Sequence, residues 1–357
     1  MKDHGGTPPA LNFASDNAGP VHSRVMAALA EANTGHVMPY GADPWTARAV
    51  AAVRAAFEAP QAEVLLVPTG IAANALALAT LVPPWGRVYC TDIAHVERDE
   101  TGAVSAASGG ADLALLPSEH GRMTPQALAA RVAREPAARR GAVSVTQVTE
   151  AGTLYRPNEV AALAEVARTH GLPVHMDGAR WSNAAAALGC PPAEMTWRAG
   201  VDALSLGATK AGLMGAEAVV FFDPARAAEA RLRRSRMGLC LSKQRYMAAQ
   251  IAAWLEEGLW RRMAGAANAA AARLAAGLAA RPDVTLDHPA EANMVFARFP
   301  CALHRRLHAA GAVYYPSDLP EPDLRAEDAA ALLGARLVCD WTADATRIDA
   351  LLAALDG

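Results

Sequence analysis

Apolar positions along this chain recur at two periods, and the alternation between them predicts the fold. Residues 63–67 (EVLLV) form an apolar run of strand length, followed by a Thr69-Gly70 turn and an apolar stretch of helical length at 72–81. Further strands are read at 87–90, 113–116, 141–148, 173–176, 201–206 and 218–222. Helices are read from Pro20 to about Asn33, from Asp43-Pro44 to Phe57, and over 124–134 and 157–170; several have proline in the first turn or glycine beyond the end. Strands alternating with helices of this length predict an α/β fold, with a mostly parallel sheet covered on both faces.

After Asp223 the pattern changes. Helical stretches are read at 224–236, 242–255 and 259–280, then strands at 294–298 and 335–339, with helices at 302–310 and 344–355. This divides the chain into an extended arm at 1–19, a large domain at 20–257 and a smaller α+β domain at 258–357. A length of 357 residues suits such a pair.

Composition narrows the classes. Hydrophobic residues make up 52% and charged residues 19%, so the chain is globular rather than disordered. A net charge of −3, with only short basic clusters at 139–140 and 231–236, argues against a nucleic-acid partner. No apolar run reaches membrane-spanning length. The five cysteines are scattered, with no Cys-x-x-Cys pair, which points away from a disulfide framework or a zinc site and towards a reducing cytoplasm.

Two segments carry candidate chemistry. Residues 205–215 (SLGATKAGLMG) set Lys210 in a turn of small residues between two apolar strands. A lysine desolvated there has a neutral amine able to attack an aldehyde. Upstream, 175–180 (HMDGAR) puts Asp177 at the end of an apolar strand, where open parallel sheets bind ligands. Such an acid can hold a protonated pyridine nitrogen, and with Lys210 it points to pyridoxal phosphate (PLP). Taken separately, Asp177 reads as a helix cap and Lys210 as a surface loop lysine. The junction at 68–74 (PTGIAAN) opens a helix whose free N–H groups suit a phosphate, although capping by Thr69 explains it equally.

These motifs, with 12–17 (NFASDN), 39–44 (PYGADP) and Ala94-His95, resemble the L-threonine aldolases of the fold-type I PLP enzymes, in the β-eliminating lyase group. The resemblance spans nearly the whole chain. It implies a fold-type I PLP-dependent transferase-like architecture and cleavage of the Cα–Cβ bond of L-3-hydroxy-α-amino acids (threonine, allo-threonine or phenylserine) to glycine and an aldehyde. It implies that Lys210 carries PLP as a Schiff base, that Asp177 pairs the pyridine nitrogen and that His95 stacks on the ring. Gly70 and Ile71 would present backbone N–H groups to the phosphate. The family usually has threonine where Ile71 stands, so Thr69 or Thr209 is expected to supply the missing hydroxyl. Arg180 is expected beside the cofactor and, with Ser15 and Arg336, on the substrate carboxylate. Lys243 is expected to reach a phosphate in a neighbouring subunit of a homodimer or homotetramer; its plainer reading is a surface lysine. In 147–152 (QVTEAG), Glu150 stands where many family members carry a histidine that contacts the substrate hydroxyl. A carboxylate can take that proton directly or through water, and His95 is the other candidate base. Transamination or β-elimination on the same fold stays open, as does a non-catalytic member.

Overall fold

The computed structural model describes residues 11–318 and 320–356, so the first ten residues of the expected arm lie outside it. Its strands are β1 (Glu63–Val67), β2 (Arg87–Thr91), β3 (Asp112–Leu116), β4 (Arg140–Thr146), β5 (Val174–Gly178), β6 (Ala203–Leu206), β7 (Glu217–Phe221), β8 (Thr285–Leu286), β9 (Met294–Pro300), β10 (Tyr315–Pro316) and β11 (Leu332–Val338). The helices are α1 (Ser23–Ala32), α2 (Pro44–Ala56), α3 (Gly70–Leu81), α4 (His95–Arg98), α5 (Ala103–Ser108), α6 (Pro125–Ala133), α7 (Pro157–Thr169), α8 (Trp181–Leu188), α9 (Ala227–Arg236), α10 (Arg245–Leu255), α11 (Leu259–Ala279), α12 (Cys301–Ala309) and α13 (Ala345–Asp356).

Seven strands make one sheet in the order β1-β7-β6-β5-β4-β2-β3. The neighbouring pairs from β6 to β3 are parallel, while β7 runs antiparallel to both β1 and β6. That single reversal organises the site. It sets Glu217, the first residue of β7, opposite Val67 at the end of β1, while Leu206 at the end of β6 faces Ala218. The ends of β1, β5 and β6 and the start of β7 therefore share one edge, the edge where open sheets bind ligands.

The strands form as the alternation predicts. In β1, Val64 and Leu66 join one core with Trp181, Trp254 and Phe57, while Leu65 and Val67 join another under α3. Helix α3 is buried from Ala72 to Leu81 on every side, as a helix apolar all round must be. A second sheet, antiparallel in the order β10-β11-β9-β8, has its own core with α12, α13 and the second half of α11. Leu11 and Phe13 belong to that core, and Phe13 bonds through its backbone to Val313 and Val338. Helix α11 feeds both cores: Leu259, Trp260 and Met263 enter the first, and Ala270, Ala271 and Leu274 the second.

Where structure and pattern differ, local bonding explains it. The strand read to residue 148 ends at Thr146, because the Gln147 amide pairs with both backbone groups of Tyr155 (2.8 and 3.0 Å). The helix read from 242 starts at Arg245, and its first turn is preceded by Gln244, which bonds Arg234. Helices α4, α5 and α8 carry no clear periodicity and were not read from the pattern. Among the described residues, no helix is long and apolar enough to cross a membrane.

Candidate active site

At the shared edge lies a cavity of about 500 Å³, whose walls include Thr69, Gly70, Ile71, His95, Asp177, Thr209, Lys210 and Glu217. The sequence-predicted cofactor residues, apart from Arg180 and Lys243, thus meet at one place. Close approach of the β5 and β6 ends makes this possible. At Gly207 any Cβ would sit 2.5 Å from the Ala179 backbone, so only glycine lets the two chains touch there. Lys210 lies in the 3₁₀ turn Thr209–Ala211, closed by Gly212 at φ +86°.

Asp177, the last residue but one of β5, has both oxygens engaged. Oδ1 accepts the Ala179 N–H (2.9 Å) and Oδ2 accepts from the Asn74 amide (2.8 Å). Beneath it, His175 bridges the Ser144 and Ser205 hydroxyls at 2.9 Å each, and burial pushes its pKa down to about 4. Burial also lowers the Lys210 pKa, assisted by the charge of Arg180 and opposed by Asp16, Asp177 and Glu217. This is the neutral-amine bias expected of a Schiff-base lysine. Glu217 accepts from the backbone of Ala208 (2.7 Å) and Thr209 (3.3 Å), tying down the lysine turn; burial raises its carboxyl to about 7.

His95 starts α4 and keeps about a third of its side chain open (35%). No side chain from the residue preceding α4 caps it. Glu150 does so from across the site: its Oε1 accepts the His95 N–H and the Thr146 hydroxyl, both at 2.8 Å. Its Oε2 is buried without a partner among the described residues, and burial raises the carboxyl to about 7. His95 Nδ1 donates to Glu100 Oε1 (2.8 Å), which raises the imidazole pKa. His95, Glu100 and Asp177 bring one imidazole and two carboxylate atoms within 4.8 Å of one another, with Asn74 donating to both acids.

The predicted carboxylate binders sit apart from that floor. Arg180 forms a two-pronged pair with Asp16 (2.6 and 3.1 Å), and Asn293 also donates to Asp16 (3.2 Å). Burial works to raise the Asp16 carboxyl, but Arg180, Lys210 and Asn293 together hold it below its usual range. Arg336 lies over the Tyr315 ring at 5.2 Å and donates once, to Ala14 O (3.3 Å). Its Nε is buried without a partner among the described residues, and burial beside Arg180 lowers its pKa. Ser15 accepts the Asn17 N–H (3.1 Å) as a cap. Thr69 caps α3 at Ala72 (3.1 Å), and the Thr209 hydroxyl accepts from Ala216 (3.3 Å). Ile71 is exposed, and so is Lys243, which lies outside the cavity wall.

Sequence reasoning missed Asn74, Glu100, Asp16, Asn293, Glu217 and Tyr315. Asn74 left a signal: it and Thr80 are the polar residues in an otherwise apolar, twelve-residue α3. Glu100 left none, because it ends the charged run Glu97-Arg98-Asp99-Glu100 and reads as solvated.

Comparison with known proteins extends the picture. The chain is 41% identical to a low specificity L-threonine aldolase of Pseudomonas aeruginosa over 98% of its own length and 96% of that protein's. It is 38% identical to a protein of the same name from a Pseudomonas species, covering 97% of each. A solved threonine aldolase from Leishmania major superposes with a TM-score of 0.89 at 24% identity, covering 97% of this chain and 98% of the other. The fold is that of the fold-type I PLP-dependent enzymes. The beta-eliminating lyase family model matches residues 12–300, and the chain belongs to the β-eliminating lyase family.

Proposed function

We propose that the protein is a PLP-dependent aldolase that cleaves the Cα–Cβ bond of L-3-hydroxy-α-amino acids, giving glycine and an aldehyde. One observation carries this reading: near-full-length identity of 38–41% to low specificity L-threonine aldolases, in a chain whose Lys210 and Asp177 line one cavity. L-Threonine and L-allo-threonine are the first substrates we assign, and L-phenylserine the next.

The residues fit the cofactor. Lys210 offers an amine depressed by burial, Asp177 an acid at the cavity floor, and α3 a helix start at Gly70 and Ile71, whose first N–H groups have no intrahelical partner. Bound there, PLP supplies a sink for the electron pair released at the substrate α-carbon. Lys210 would hold the cofactor through its amine. Asp177 would pair with the pyridine nitrogen, and His95 would pack against the ring. Thr69 and Thr209, which line the same cavity, would offer the phosphate a hydroxyl in place of the threonine that usually stands at the Ile71 position. Arg336, with a buried donor to spare, anchors the substrate carboxylate, while Arg180 shares that task with its Asp16 pairing. Ser15 stands beside them. We assign the β-hydroxyl proton to His95 and Glu150, which touch each other through the His95 N–H.

We further propose a homo-oligomer in which Lys243 reaches the phosphate of a partner's site. Supporting this, Lys243 is exposed beside Leu241, and Met38 and Tyr40 form an exposed apolar stretch tied to the same loop through Tyr40 N–H and Ser242 O (2.9 Å).

The test is glycine and acetaldehyde formation from L-threonine by the PLP-loaded protein. Glycine released by the wild type and not by Lys210→Ala supports the reading. No glycine from L-threonine, L-allo-threonine or L-phenylserine, with keto acid formed from L-alanine and an acceptor, would replace it with transamination.

A further inference from the structure

We propose that Glu100 is the positioning residue of His95: it holds the imidazole with its proton on Nδ1 and leaves Nε2 as the acceptor of the substrate β-hydroxyl proton. This rests on the aldolase reading above and names a residue that the reading does not use.

Within the run Glu97-Arg98-Asp99-Glu100, the first three residues are exposed and only Glu100 is buried, its side chain at 0% exposure. A carboxylate is costly to bury unless partners replace its water. Among the described residues no arginine or lysine bridges to it. Its partners are His95 Nδ1 (2.8 Å) and Asn74 Nδ2 (2.7 Å), both at Oε1. The Asn74 amide spends its second hydrogen on Asp177 Oδ2 (2.8 Å). The reverse amide orientation would set its carbonyl oxygen against two carboxylates, so the network has one sense. It runs from Asp177 on the cavity floor, through Asn74 and Glu100, to the imidazole that lines the cavity.

The consequence follows from hydrogen-bonding capacity. An imidazole that donates from Nδ1 to a carboxylate carries its lone pair on Nε2. When that nitrogen takes a proton, the adjacent carboxylate stabilises the imidazolium, the role an aspartate plays behind a catalytic histidine. The groups around His95 are Glu100 and Asp177, which raise its proton affinity, and Lys210, which lowers it. Glu150 spends its Oε1 on the His95 backbone N–H and the Thr146 hydroxyl, and its Oε2 is without a partner among the described residues. In the step, the β-hydroxyl proton passes to Nε2, the O–H pair becomes the second bond of the aldehyde carbonyl, and the Cα–Cβ pair stays with the glycine fragment. Two carboxylates thus hold one histidine, Glu150 at its backbone and Glu100 at its ring.

Glu100→Gln keeps the size and one acceptor oxygen but removes the charge. Two readouts separate positioning from structure. In the cofactor-free protein, labelled-histidine NMR, with His95 assigned from the spectrum of His95→Asn, should show His95 titrating at lower pH in Glu100→Gln. In the PLP-loaded enzyme with L-threonine, the acid limb of kcat/KM should move to lower pH, because a weaker base is deprotonated earlier. In the same assay kcat should fall by about 10- to 100-fold with little change in KM. Adding Glu100→Gln to His95→Asn should cost nothing further. Glu100→Asp, with the charge further away, should give the same shift in smaller measure, and it serves if the glutamine variant does not fold. An unmoved His95 titration, or the same loss of kcat with and without His95, would overturn the proposal. A wild type that releases no glycine would instead overturn the aldolase reading, and the cofactor-free titration would still decide the role of Glu100.

Discussion

The cavity floor and the arginine wall that flanks it, outside the cavity's own lining, are built on different principles. The floor is set by sheet register: Asp177 lies near the end of β5, Lys210 follows β6, and Glu217 begins the reversed β7. Its acids are held by backbone N–H groups and one buried amide, so its geometry is fixed by the ladder itself. The wall comes from the chain segment at 14–16, from Arg180, and from β10 and β11 of the second sheet, which contribute Tyr315 and Arg336. It is cationic, and its two arginines differ: Arg180 is occupied by Asp16, whereas Arg336 keeps a buried donor with no partner among the described residues. On the proposed reading, chemistry would reside where one sheet dictates position, and recognition where the two cores meet.

Floor substitutions should strike turnover, and wall substitutions should strike binding. The largest expected effect is Lys210→Ala, which should lower glycine release from L-threonine by about 10³-fold or more. A loss under tenfold would break the distinction at once. Asp177→Asn should follow, lowering kcat by about 10²- to 10³-fold, because a neutral amide stabilises a charged ring nitrogen poorly; steady-state kinetics read it. If KM alone rose, Asp177 would belong to the wall.

Glu217 sharpens the floor through pH. An ordinary glutamate titrates near 4.5, whereas burial raises this one to about 7 in the folded protein. Between those values the folded state holds more protons than the unfolded one, so its stability falls as pH rises. Denaturant melts at pH 5 and pH 8 should show the wild type losing on the order of 3 kcal/mol relative to Glu217→Gln. Parallel pH dependence in the two proteins would contradict the buried carboxyl.

The wall predictions are smaller. Arg336→Ala should raise KM for L-threonine by about 10- to 100-fold with kcat less affected. Asp16→Asn, which frees Arg180 without removing a cation, should change KM by only about threefold. Equal effects would erase the difference between the two arginines.

Much of the floor was legible in the sequence, because its residues sit at strand ends, and strand ends follow from apolar runs and small-residue turns. Lys210 among alanines and glycines and Asp177 after an apolar strand carry their meaning locally. Ser15, Arg180 and Arg336 rested on family resemblance instead. The groups that tune them were not legible. Glu100 resembles its solvated neighbours, Asp16 its loop, and Asn293 stands two hundred and seventy-seven positions from the Asp16 it supports. Burial makes these residues matter, and burial here arises from contacts between distant segments. Glu150 was legible as a departure from the family pattern, yet its grip on the His95 backbone appears only once β4 and α4 are brought together.

The central claim is that Lys210 carries PLP at this floor. Borohydride reduction of the PLP-loaded wild type, followed by peptide mapping, tests it most directly. One phosphopyridoxyl group per chain is expected, on the peptide containing Lys210, and none in Lys210→Ala. A modified lysine elsewhere, or a wild type that takes up no PLP, would contradict it.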